Sequence, residues 1–102
     1  FMGLGTYLDT PFPAARGGLT AKLLVFHGQH DPVVAMVELE AFRQEMAVAG
    51  ADSRVVRYAD AGHGFCNREM DGTVHPWNRY SRLHDERSWR TLRAFLADAL
   101  AD

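Results

Sequence analysis

Two residues able to run proton chemistry stand at corresponding places in this chain. Asp31 closes the stretch Leu23-Leu24-Val25-Phe26-His27-Gly28-Gln29-His30-Asp31-Pro32, and His63 lies in Tyr58-Ala59-Asp60-Ala61-Gly62-His63-Gly64-Phe65. A histidine can take a proton from a nucleophile and return it to a leaving group, while a carboxylate holds the imidazole's tautomer and stabilises its charged form. An acid followed by a histidine, each at the end of a strand, is two thirds of a nucleophilic triad. Each residue also has an ordinary structural use: an aspartate before proline forms turns, and a loop histidine is often only solvated. His27, His30, Asp31 and His63 together suggest a metal site at first glance. Strand and turn alternate their faces, so these side chains are not expected to converge, and no metal is expected.

The pair can meet only if the backbone brings two strand ends together. Leu23 to Phe26 are four consecutive apolar residues, too few for a helix and apolar on both faces. Residues 22–27 therefore read as a parallel strand covered by helices on each side. Gly28 permits a tight reversal, and Pro32 biases Asp31 towards an extended backbone. Residues 35–49 read as a helix, with Leu39, Phe42, Met46 and Ala49 on one face, Glu38 and Glu40 near its start, and Gly50 as a left-handed C-cap. Residues 53–58 read as the next strand. Strand, helix and strand form one right-handed crossover, so the two strands are parallel and their carboxyl ends share an edge. That predicts Asp31 beside His63, although 32 positions separate them. Gly62 and Gly64 are expected to let the backbone turn sharply and to leave room for a substrate.

The flanks are less regular. Residues 1–21 are rich in Gly, Pro and Thr, and read as a short extended piece near Phe1 to Leu4 followed by a loop. Residues 66–84 read as a long polar loop holding His75-Pro76-Trp77-Asn78-Arg79-Tyr80, and long loops of this kind are often functional. Residues 85–100 read as a last helix, with Asp85 and Glu86 in its first turn and an apolar stripe of Trp89, Leu92, Leu96 and Leu100. Trp77 and Tyr80 are expected either to cover a pocket or to anchor the loop. Arg79, Arg82 and Arg87 read as a solvated face.

The totals bound the possibilities. With 102 residues, 47% of them apolar, the chain is expected to form one small domain over 1–102. A formal net charge of −2 supplies no basic surface for nucleic acid, and no apolar run has the length of a membrane span. The start, Phe1-Met2-Gly3-Leu4-Gly5, lacks the charged region of a secretory leader. It reads as a chain entered partway, or as a vector-derived residue before a start codon. Cys66 is the single cysteine, so no internal disulfide or multi-cysteine zinc site forms, and a reducing, cytoplasmic setting is the expectation.

Residues 20–100 resemble the C-terminal part of the dienelactone hydrolases, a branch of the α/β-hydrolase fold. Four stretches carry the resemblance in order: Lys22 through Asp31-Pro32, Phe42 through Asp52, Tyr58 through Phe65, and Asp85 through Leu96. The resemblance implies an α/β fold, specifically a partial α/β-hydrolase fold with parallel strands, a crossover helix and a C-terminal helix. It implies that Asp31 is the triad acid and His63 its base, and that the parent activity is hydrolysis of a small-molecule ester or lactone without metal or organic cofactor. Phe65, Arg68 and Trp77 are the candidate substrate-binding residues. In the family a residue shortly after the histidine can help hold a substrate carboxylate, and with Asn67 and Arg68 near that place no preference for acidic substrates is expected.

The same resemblance exposes a gap. The family's nucleophile lies upstream, in a Gly-x-Cys-x-Gly or Gly-x-Ser-x-Gly elbow, and no such motif occurs here. Ser53, Ser81 and Ser88 lack the flanking glycines, and Cys66 follows the histidine, where it reads as a small half-buried thiol. The chain alone is therefore expected to be inactive or nearly so. The rival expectation is a stand-alone non-catalytic module. In either case bare strand edges favour a homo-oligomer or pairing with a complementing hydrolase segment.

Overall fold

The computed structural model describes residues 15–101. The extended piece expected near Phe1 to Leu4 lies outside the described residues. Four elements follow in order: β1 (Lys22–Gly28), α1 (Met36–Ala49), β2 (Asp52–Tyr58) and α2 (Arg82–Ala99). β1 and β2 pair in parallel, with Lys22 opposite Asp52 and Gly28 opposite Tyr58. The crossover is thus as the sequence predicts, and both strands end at one edge.

Helix α1 closes where its sequence says it should. Gly50 adopts φ 74°, and its amide and that of Ala51 return to the carbonyls of Ala47 and Met46 at 3.2 and 3.0 Å. These bonds satisfy carbonyls that the last helical turn leaves free. The helix buries Leu39, Met46 and Ala49. Full burial of a leucine is worth about 2 kcal/mol, so this stripe is what fastens the crossover.

Three expectations change. First, Leu23 to Phe26 are only half-buried. Among the described residues the sheet has just two strands, too few to cover a strand that is apolar on both faces. Second, α2 begins at Arg82 instead of residue 85, because Ser81 takes the N-cap position and its hydroxyl accepts from the His84 amide. Third, the stripe on α2 is not its buried face: Trp89 and Leu96 are 42% exposed and Leu100 79%, whereas His84, Asp85 and Ser88 are buried. Polar groups this deep must be hydrogen-bonded, and their partners lie around the site described next.

Candidate active site

The turns that leave β1 and β2 are tied to each other. The Gln29 amide donates to the Tyr58 carbonyl at 2.9 Å and the His30 amide to the Ala61 carbonyl at 2.9 Å. Gly28 lies so close that a Cβ there would collide with the Ala61 and Gly62 carbonyl oxygens. No side chain fits between the two strand ends, which is why a glycine stands at this point of β1.

Asp31 is nearly buried and uses both carboxylate oxygens. Oδ1 accepts from the Val33 and Val34 amides at 2.8 and 3.1 Å, and Oδ2 accepts from His63 Nδ1 at 2.9 Å. The Asp31 and His63 side chains are 6% and 17% exposed. A carboxylate can only accept, so Nδ1 carries the ring proton and Nε2 keeps its lone pair. Nε2 has no protein partner among the described residues. The arrangement is a base with a fixed tautomer, poised to take a proton from a third group.

The glycines beside His63 serve a different purpose from the one expected. Neither has positive φ, whereas Gly17, Gly50 and Gly72 do. A Cβ on Gly62 would strike the Trp77 carbonyl, and one on Gly64 would strike the Asn78 side chain. The space is filled by the returning loop, not left for substrate. That loop holds the histidine in place: the His63 amide donates to the Trp77 carbonyl at 2.9 Å. The Trp77 ring stacks on His75 at 4.5 Å and meets the His63 ring edge-on at 6.1 Å. Tyr80 anchors the loop from the other end, its hydroxyl donating to buried Asp85 at 2.7 Å. That bond to a carboxylate holds the Tyr80 phenol above its ordinary pKa.

The three candidate substrate-binding residues separate. Trp77 lines an open cleft of about 400 Å³, together with His30, Asp60, Gly62, Arg79 and Ser81. Phe65 is 5% exposed and packs edge-on against Tyr58 at 5.5 Å, so it belongs to the core and not to the cleft. Arg68 is exposed and lies by the Tyr80 hydroxyl, off the cleft. Cys66 is exposed instead of half-buried as expected. Partial desolvation of its thiol, with the Asp85 carboxylate adding to the effect, still pushes its pKa up, so it is poorly suited to be a thiolate nucleophile. His27 is structural: Nε2 donates to the Val34 carbonyl at 2.6 Å and thereby ties β1 to the loop that Asp31 caps.

Sequence reasoning passed over one buried group. His84 Nε2 lies 2.9 Å from Asp60 Oδ1, and its Nδ1 lies 2.6 Å from Ser81 Oγ. The available signal was Ser81-x-x-His84 ahead of a helical run, a relative of the Ser-x-x-Glu capping pattern.

The sequence pattern of the dienelactone hydrolase family matches residues 14–100. The chain belongs to the dienelactone hydrolase family. An uncharacterized protein of Caenorhabditis elegans is 31% identical over 80 residues, which are 78% of this chain and 51% of that protein. Among solved structures, a dienelactone hydrolase-like promiscuous phosphotriesterase from metagenomic libraries aligns with TM-score 0.80 at 23% identity, covering 93% of this chain and 39% of the other. The protein m3DLH aligns with TM-score 0.77 at 24% identity, covering 88% of this chain and 41% of the other. At that identity the two structures establish the fold, which is α/β-hydrolase. The chain thus spans about half the curated relative and about two fifths of each solved one.

Proposed function

We propose that this chain is the acid-and-base segment of a carboxylic ester or lactone hydrolase, with Asp31 and His63 as two members of its triad. The observation behind this reading is the 2.9 Å bond from His63 Nδ1 to Asp31 Oδ2, which leaves Nε2 as the free base. A nucleophilic hydroxyl or thiol attacks the substrate carbonyl as its proton passes to Nε2. Asp31 stabilises the imidazolium, and the proton then goes to the departing alkoxide. Water removes the acyl group by the same route in reverse. The nucleophile and the oxyanion donors belong to the part of the family fold that these 102 residues do not span. Trp77 supplies an apolar wall for the acyl group. The reaction as written uses no metal and no organic cofactor, and a lone thiol agrees with a cytoplasmic setting.

The test is made on the whole translated product of the gene, with an aryl ester or a small lactone as substrate. His63→Ala and Asp31→Asn should each lower kcat/KM by roughly 10³–10⁴-fold, as loss of a triad member does. Hydrolysis that survives His63→Ala undiminished would end this reading.

A separate observation favours a second reading. Among the described residues each strand has one unpaired edge, and Val37, Val48 and Leu100 are 75%, 63% and 79% exposed. A non-catalytic module that pairs with its own copy, or with a complementing hydrolase segment, would cover such surfaces. If the gene encodes this segment without an upstream elbow, this second reading takes precedence.

A further inference from the structure

A second hydrogen-bonded line stands apart from the Asp31–His63 pair. Asp60 accepts from His84 Nε2 at 2.9 Å, so the ring proton is on Nε2 and the Nδ1 lone pair faces the Ser81 hydroxyl at 2.6 Å. A serine that merely caps a helix accepts a hydrogen bond from a nearby backbone amide. Here the His84 amide is 3.4 Å from Oγ, a long contact, while the imidazole is much nearer. The ring cannot swing away. Its side chain is 5% exposed, and Tyr58 and Phe65 lie against it at 4.9 and 6.2 Å.

Two further observations point to a ligand. Ser81 and Asp60 both line the open cleft of about 400 Å³, whose other walls include Pro76 and Trp77. Ser81 is also the N-cap of an 18-residue helix. The amides of Arg82 and Leu83 therefore have no intrahelical acceptor and face the end where developing negative charge is favoured. The serine and the carboxylate thus line one cleft, with the buried His84 ring joining them from behind and its two nitrogens exchanged relative to the usual triad.

We propose that Ser81 is an acyl acceptor in its own right, activated by His84, oriented through Asp60, and served by small aryl esters bound in this cleft. Ser81 Oγ bonds to the ester carbonyl carbon as its proton moves to His84 Nδ1. The carbon–oxygen bond to the aryl group then breaks, and the proton passes from Nδ1 to the departing phenolate. Ser81 is left acylated and the phenol leaves. Neither Asp31 nor His63 takes part, so the two proposals stand or fall separately.

The experiment treats the chain with p-nitrophenyl acetate and maps the acetyl group by peptide mass spectrometry. Ser81 should carry a single acetyl group, formed in a stoichiometric burst of p-nitrophenol. Asp60→Asn should slow that acetylation at least tenfold; its side chain is 78% exposed, so the fold tolerates the change. Ser81→Asp should abolish it while keeping a helix cap. The proposal is overturned if Ser81 stays unmodified while other sites react. It is equally overturned if Ser81 reacts no faster than Ser53 and Ser88, or as fast in Asp60→Asn as in the unmodified chain.

Discussion

Asp31 illustrates how one carboxylate can serve both fold and chemistry. Its Oδ1 satisfies two backbone amides that would otherwise be buried without partners, while Oδ2 aligns His63. The two roles can be pulled apart. Asp31→Ala should cost about 1–3 kcal/mol of stability in urea unfolding, because the Val33 and Val34 amides lose their acceptor. Asp31→Asn should unfold nearly as the parent does, because its carbonyl oxygen can still take those two bonds, yet it should disable the base. Cys66 gives a pH prediction. Its folded-state pKa lies above the ordinary thiol value of 9.0, and Tyr58, also raised by burial, lies above 10.0. A raised pKa on a group that ionises to an anion stabilises the fold at lower pH. That stability is lost as pH climbs through the ordinary value and beyond. The melting temperature should therefore fall above pH 9, and iodoacetamide should alkylate folded Cys66 more slowly than the unfolded chain at neutral pH.

The loop across residues 62–78 is the element that turns a strand end into a site. His63 is held from beside by Asp31 and from behind by the Trp77 carbonyl, so the loop's return path sets the imidazole's position. Gly62→Ala would drive a methyl group into that carbonyl. The expected cost is about 1–3 kcal/mol, read from the denaturation midpoint, together with a displaced His63 ring signal in the NMR spectrum. Gly50→Ala is the contrasting case. Nothing lies within reach of its Cβ, but φ is 74°, so the cost is backbone strain of about 1–2 kcal/mol, and the His63 signal should not move. If both variants move that signal alike, the loop's return path does not set the histidine's position.

Among the described residues there is a small apolar core, Val34, Leu39, Met46, Ala49, Ala61 and Phe65, with five buried polar or charged residues beside it. That balance suits a segment whose polar residues are arranged around a site while its sheet has room for neighbours. We expect the isolated chain to associate at tens of micromolar in sedimentation velocity, through the half-buried Leu23–Phe26 strand and the exposed residues of α2. A well-behaved monomer at that concentration would remove the second reading given above. Among the described residues no helix is long and apolar enough to cross a membrane, so the exposed apolar surface does not form a spanning helix.

Much of this was legible in local patterns. A four-residue apolar run, a helical stripe ending on Gly50 and a second strand fix the parallel crossover. A parallel crossover leaves little choice about which ends meet, so the contact between Asp31 and His63 follows from covalent order and strand direction. Contacts with no sequence periodicity were not legible. Gly62 and Gly64 looked like room for a ligand, but tertiary packing fills that room with Trp77 and Asn78. Phe65 looked like a substrate contact, but the α2 helix places His84 against it and buries it. The Ser81–His84–Asp60 line spans a cap, a helix turn and a strand-end turn, and only the folded chain brings those three together. Local propensity acts over a few residues and is written in residue order; side-chain burial depends on which surfaces finally meet, and no single stretch of this chain records that.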